Sequence, residues 1–470
     1  MKNRFVNFIE SKHIFILLCL LGFNFIIKIF VFYNTTAFLV SEAGSNYDFL
    51  KAIENGANPP LFEYNYRSVL AYLGHFIKTF AGTLDAFFWF QALLSTISVY
   101  ILYLICLKVT NAKIPSLFAV LMATILLDYH LLTPVFYYQI FDIYFVLLVV
   151  YLVLLMIEKN KIMKSAGILF IPAIVYVSYF FRGTLAYFWS LLIIMAIYFI
   201  LRKDYQLFVR FAVTGAITLI MFSILPFGNF SSMNKPAVND FKFYGHTLYG
   251  GDGGEGAFIY KENEIRYKNK LAEFMIKHHY ASATISVRNE FQRNEMKEFI
   301  SKTPHKWLLL QIRKVAYTFG IVPIRDSLQL LTTGKLSLPW YLSAFVIQVP
   351  YVFILLIYVV LIVLFFKGID LNNVKLLFMF LVLFYLLAAT CLYGHYQARY
   401  RHVVILAGIL PVSAFYFNKF LGWFSQKDIK RRRLILLVLV LLIIFSHWGY
   451  QAYNSLVLNR ERYDRALDIF

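Results

Sequence analysis

The chain has 470 residues, of which 60% are apolar, 19% aromatic and only 15% charged, with a formal net charge of +20. The apolar residues come in long unbroken runs, which excludes an ordinary soluble domain and points to a polytopic membrane protein built as one membrane domain. The positive charge flanks those runs, so it fits contact with anionic lipid and points away from nucleic acid.

In chain order, Lys2, Arg4 and Lys12 precede a first run of about 20 apolar residues. No small-residue cleavage site follows it, so an uncleaved first span is expected. Eleven runs are long enough to be transmembrane candidates: 13–33, 86–107, 114–132, 137–156, 166–181, 185–201, 207–227, 341–366, 374–392, 403–417 and 434–448. The fifth and sixth are short and separated only by Arg182, Gly183 and Thr184, so they also read as one broken hairpin. Cys19, Cys106 and Cys391 all lie in apolar runs, and no disulfide framework is expected.

Orientation follows from the loops. With the N-terminus inside, the cytoplasmic loops hold Lys108 and Lys113, then Lys159, Lys161 and Lys164, then Arg202 and Lys203, then Lys367 and Lys375, and finally Lys427 with Lys430 to Arg433. Every one is basic. Residues 34–85, 228–339 and 449–470 then fall outside. The expected organisation is a membrane module 1–227 carrying the first external loop 34–85, an external lobe 228–339, and C-terminal spans and tail 340–470.

In the first external loop, the stretch from Tyr47 and the stretch from Tyr66 to Phe80 read as two short helices lying along the interface, separated by "NGANPP". Glu42 and Asp48 lie just past the first span. An acid there can act as a general base or help hold a metal. In the lobe, "FYGHTLYGGDGGEGAFIY" (243–260) is Gly-rich and reads as loop, without the Lys-Ser or Lys-Thr of a phosphate loop. Residues 287–302 read as an amphipathic helix, and Thr303-Pro304 as the start of another. The adjacent His278 and His279 have poor spacing for a metal.

Against the charge bias of the spans, Arg182 and "YGHYQARYRH" (393–402) fall outside. Two arginines and two histidines, His395, Arg399, Arg401 and His402, crowd ten residues there. Arginine binds phosphate oxygens bidentately, so an anionic partner at the outer interface is expected.

These motifs, in this order, resemble the membrane glycosyltransferases of the GT-C fold, in particular the bacterial group related to protein O-mannosyltransferases and the lipid A aminoarabinose transferase. The first loop offers Glu42, Tyr47, Ala52, Gly56 and "NYRSVLAYL" with Arg67, followed by "FQALLSTISVYILYLI". "YYQIFDIYF" supplies Asp142 at the head of the fourth span, and "FFRGTL" supplies Arg182. The seventh span ends in "LPFGNF", where the group has "PW" and this chain has Phe227. "YGHTLYGGDGGEG" matches a late external loop, Pro304 and Lys314 a following motif, and Arg399-Tyr400 an "RY" before a late span. The family acid is usually Asp about four residues before the Tyr, whereas Glu42 is five before, so Asp48 and Ser45 stay as alternatives.

The resemblance implies an all-α polytopic fold of about eleven spans with an external, mixed, loop-rich lobe. It implies a polyprenyl-phosphate sugar donor and a glycan, lipid or protein acceptor. The active site would face outward from a bacterial inner membrane. Glu42 or Asp48 would be catalytic, and Arg67, Asp142, Arg182, Lys314, His395, Arg399, Tyr400 and Arg401 would bind substrate. No certain cofactor is implied, and a divalent metal is left open. Two other readings compete. An O-antigen polymerase or ligase would share the spans and external Arg and His but need no first-loop acid. A lipid or polysaccharide transporter would usually show repeat symmetry, and the sequence has no repeat.

Overall fold

The computed structural model describes residues 2–35, 42–57, 66–158, 166–224, 256–319, 331–332, 335–365, 372–389, 401–423, 438–446 and 448–449. Among these the fold is helical, without strands. In chain order the helices are α1 (Lys2–Ser11), α2 (His13–Asn34), α3 (Glu42–Glu54), α4 (Tyr66–Ala81), α5 (Asp85–Thr110), α6 (Lys113–Ile125), α7 (Leu127–His130), α8 (Gln139–Ile157), α9 (Ala166–Phe181), α10 (Phe188–Leu201), α11 (Tyr205–Ile224), α12 (Gly256–Lys277), α13 (Ile285–Lys302), α14 (Pro304–Thr318), α15 (Trp340–Phe365), α16 (Val374–Leu387), α17 (Arg401–Val404) and α18 (Leu410–Trp423).

Seven of the described helical stretches are long and apolar enough to cross a membrane: His13–Asn34, Asp85–Thr110, Gln139–Ile157, Gly183–Leu201, Tyr205–Ser223, Tyr341–Leu361 and Arg401–Phe420. This is an all-α, multi-pass membrane protein. At three more expected positions the apolar helices are shorter: Lys113–Ile125, Gly167–Phe181 and Val374–Leu387. The eleventh expected run is described only at 438–446 and 448–449.

The bundle forms because its apolar helices carry polar atoms on their inner sides. On α2 the buried residues are Leu17, Asn24, Lys28 and Val31, one narrow stripe at helical spacing, while Phe15, Leu18, Phe23, Ile26 and Phe30 are exposed. Bulky apolar side chains thus face outward and polar ones inward, the inverse of a soluble helix. α5 is the hub and touches α2, α4, α6, α8, α16 and α18. Its contact surface includes the small residues Ala92, Ser95, Ser98 and Cys106, which let neighbours approach closely. At its end Asn111 takes a left-handed conformation (φ 51°) and its N–H bonds to Leu107 O, which stops the helix ahead of α6. Gly408, in the π-helical turn Ile405–Ile409 between α17 and α18, lets that segment press against α16, since a Cβ there would lie 2.9 Å from Leu383 Cδ1.

Contacts between helix ends agree with the alternation read from the loops. At one end Lys113 Nζ lies 3.5 Å from Glu10 O, Arg202 bonds to Asn372 at 2.8 Å, and Glu158 receives both Lys108 (2.6 Å) and Lys375 (2.5 Å). Lys375 also donates to Lys108 O at 2.9 Å. Thus α5, α8 and α16 are tied where the basic loops meet. At the other end α3 and α4 pack on each other, joined by Lys78–Glu54 at 2.7 Å, and α4 reaches α5 and α9.

The third expected span differs from the structure. Its helix stops at Ile125, Leu126 leaves helical geometry (φ −75°, ψ 82°), and after the single turn of α7 the chain runs buried through 131–138 into α8. Pro134 in that stretch has no N–H to continue a helix. In the lobe, α13 starts at an N-cap Thr284 whose side chain accepts from Val287 N (3.4 Å). α14 starts at Pro304 as expected. The Gly-rich run expected as loop to 260 is already helical from Gly256, and 243–255 lie outside the described residues. Where the lobe is described it is helical rather than mixed: Tyr267 and Leu271 of α12 and Phe291 of α13 form a small core, fixed by Lys270–Glu295 at 2.8 Å.

Burial acts to raise the Glu158 carboxyl, but the hydrogen bonds from Lys108 and Lys375 outweigh it and hold it below its ordinary 4.5. A lowered carboxylate contributes stability above its unfolded value and loses it as pH falls through the folded one. Glu158→Gln is therefore expected to cost about 1 kcal/mol at pH 7. The loss should shrink as pH falls below the unfolded value and vanish below the lowered folded one, as read from thermal unfolding of the purified protein at neutral and strongly acid pH.

Candidate active site

The expected site residues divide into three groups. Asp142 and Arg182 come together. Asp142 sits in the first turn of α8 and Arg182 is the extended residue after α9, with Arg182 Nη1 3.4 Å from Asp142 Oδ2. Thr184 Oγ1 donates to the same oxygen at 3.0 Å, and the guanidinium lies over the Tyr138 ring at 5.5 Å. Tyr385 of α16 donates to Thr184 O at 2.6 Å, so three helices fix the pair. Asp142 is nearly covered while the Arg182 side chain keeps 16% exposure, so the arginine is the accessible member.

Arg401 takes a different place. At the start of α17 it is fully buried and ion-paired with Asp128 of α7, also fully buried. Its guanidinium stacks on the Tyr351 ring of α15 at 3.6 Å, and His402 Nε2 lies 3.2 Å from the same Asp128 oxygen. Beside Asp128, Tyr129 exchanges a hydrogen bond with Ser95 (2.7 Å) and lies under the ammonium of Lys28 at 5.2 Å. Lys28 is fully buried and donates to Asn24 Oδ1 and to Thr96 Oγ1 (3.2 Å). A buried ammonium held by two oxygens and an aromatic face has its three donors occupied.

The third group is less defined. Glu42 opens α3, Arg67 lies in the first turn of α4 and Lys314 lies on α14, their side chains outside the described residues. Asp48, also on α3, is exposed. His395, Arg399 and Tyr400 lie outside the described residues. Asn46 of α3 donates to Phe136 O at 2.8 Å, which docks the first-loop acid helix on the buried 131–138 segment. Among the described residues no group of three or more His, Cys, Asp or Glu side chains is arranged to hold a metal ion.

Sequence reasoning missed Asp128, His130 and Lys28. Each sits inside a run that reads as an apolar span, and the signal was there, since an ionisable group within a span is costly and faces the bundle interior with a partner.

No protein-family model matches the chain, and no curated protein matches it. What stands on the fold is the class, an all-α multi-pass membrane protein that holds, among the described residues, one sealed acid–arginine pair, Asp128–Arg401, and one partly open pair, Asp142–Arg182.

Removing one member of a buried pair leaves an uncompensated charge. Asp128→Asn is expected to destabilise the protein by about 3–5 kcal/mol. The double variant Asp128→Leu with Arg401→Met should recover most of that loss. Asp142→Asn should cost less, because Arg182 reaches solvent. Thermal unfolding of the four purified proteins checks the order.

Proposed function

We propose that this chain is a membrane glycosyltransferase of the GT-C type, moving a sugar from a polyprenyl-phosphate donor to a glycan, lipid or protein acceptor on the outer face of a bacterial inner membrane. The observation that carries this reading is a convergence. α3, with Glu42 and Asp48, and α4, with Arg67, pack at the same end of the bundle as the Asp142–Arg182 pair. On this reading the N-terminus is inside, which the gathering of basic loops at the opposite end supports, since lysine and arginine mark the cytoplasmic side. α3, which carries the two acids, then lies at the outer face.

In the reaction, the acceptor oxygen forms a bond to the anomeric carbon as the carbon–phosphate oxygen bond breaks, with inversion. Glu42 or Asp48 takes the acceptor proton or orients the hydroxyl. The bonding pair leaves on the lipid phosphate, where arginine donors stabilise the growing charge. Arg182 is suited to this because its carboxylate partner is shared with Thr184 and its side chain keeps an open edge. Arg399 is the other candidate grip.

Glu42→Gln keeps size and hydrogen bonding but removes basicity. It is expected to lower transfer by at least about 100-fold, the lower range for a general base, while lipid-phosphate binding persists. Radiolabelled transfer by membranes, with Asp48→Asn in parallel, decides which acid acts. Near wild-type transfer in both removes the first-loop acid and leaves the polymerase or ligase reading. Topology is checked separately: a cysteine at Ser232 should react with an impermeant thiol reagent on intact spheroplasts, and one at Asn160 should not.

A further inference from the structure

The segment 131–139 is buried throughout, yet it is not helical until Gln139. Irregular backbone at membrane depth is tolerated where protein covers it or where it lines a polar cavity. Here protein side chains hold the backbone. Gln91 of α5 donates to Thr133 O (3.2 Å) and Val135 O (3.1 Å), and Asn46 donates to Phe136 O. Gly74 of α4 admits the Phe136 ring, since a Cβ there would fall 2.8 Å from Phe136 Cζ.

Beside these backbone contacts, a set of buried side-chain atoms is left over. Asn46 Oδ1, Gln91 Oε1, Thr133 Oγ1, both amide atoms of Gln139 and His130 Nδ1 have no protein partner, and each of these residues is at most 2% exposed. Native interiors leave few such atoms, and here five residues lie on or against one nine-residue stretch. All of them are neutral hydrogen-bonding groups. Asn46 and Gln91 have spent their nitrogens on the loop and keep carbonyl acceptors. Gln139 and Thr133 offer donors and acceptors. The His130 Nε2 donates to Thr124 O at 2.7 Å, leaving Nδ1. None is a fixed charge.

The charges beside them are already paired. Asp128 precedes the segment and is matched by Arg401; Asp142 follows it and is matched by Arg182 and Thr184. An anion or cation would gain little here. A neutral polyhydroxylated ring would find donors and acceptors at several points and the Phe136, Tyr137 and Tyr138 rings nearby. We infer that 131–139, with Asn46 and Gln91, forms the recognition site for the sugar unit of the substrate, a neutral hexose selected by its hydroxyl groups. This rests on the glycosyltransferase reading and adds what that reading lacks, the place where the sugar is distinguished from its lipid phosphate.

The test uses the full-length protein in nanodiscs. Farnesyl phosphate is titrated alongside farnesyl phosphate bearing a glucose, mannose or galactose unit. Thr133→Val and Gln139→Leu are near-isosteric and remove only unpartnered atoms, so both should fold with unchanged or slightly raised thermal stability. Each is expected to weaken binding of the preferred sugar-bearing lipid about three- to tenfold and leave sugar-free lipid unchanged. If the wild type prefers a sugar-bearing lipid and both variants keep that preference, the atoms hold ordered water only and the inference is overturned alone. Equal weakening of both lipids in the variants overturns it as well. A wild type that binds neither lipid removes the glycosyltransferase reading itself, and this inference with it.

Discussion

A guanidinium with no exposure can stay inside a helical bundle only if a carboxylate meets it, and Arg401 is met by Asp128. That ion pair joins parts of the chain 273 residues apart, since Asp128 sits near the end of the third expected span and Arg401 opens α17. The Tyr351 ring brings in α15 and His402 adds a second contact to the same oxygen. With Asp128 held, α7 is fixed across the bundle, and the chain beyond it has to turn inside the protein rather than emerge at its surface. The buried 131–138 segment, the docking of α3 through Asn46, and the position of Asp142 at the start of α8 all follow from where that turn is pinned.

The second pair has a different character. Asp142 shares its oxygen between Arg182 and Thr184, and the 3.4 Å arginine contact is longer than a strong charge-assisted bond. Arg182 sits in extended backbone between two helices and keeps an exposed edge. A tight, sealed pair is suited to holding architecture, while a loose, partly open one can exchange its partner for an incoming anion at modest cost. The two arginines that sequence reasoning grouped as equals are separated by these geometries: Arg401 is sealed in the bundle and Arg182 keeps an exposed edge.

Much of the architecture was legible. Length and apolar runs define spans because a bilayer demands about 20 residues of helix, and basic loops mark one end because they meet anionic lipid. The starts of α4 at Tyr66 and α14 at Pro304, where they are expected, reflect local rules that need no tertiary information. The break at Leu126 was not legible. The run 114–132 is apolar enough to be a continuous helix, and the partner that stabilises its departure, Arg401, lies far away in sequence. The same applies to Gln91, Asn46 and Gln139, ordinary amides in a sequence and significant only once the loop carbonyls they bind, or the partners they lack, can be seen.

The opposite end of the molecule shows why the polar atoms near 131–139 stand out. Around Glu158 every charge is answered: two lysines converge on one carboxylate, and one of them also caps a carbonyl. Around Lys28 an ammonium without a carboxylate is still satisfied by two oxygens and a ring. The buried charges at Glu158 and Lys28 are thus both met by protein partners. Unpartnered buried polar atoms occur elsewhere in the bundle too, but five neutral side chains that carry them are concentrated beside this one segment, between the two acid–arginine pairs and against α3. Polar atoms held in place and unspent suit ligand recognition, since donors and acceptors aimed in advance lose little entropy when a hydroxyl arrives.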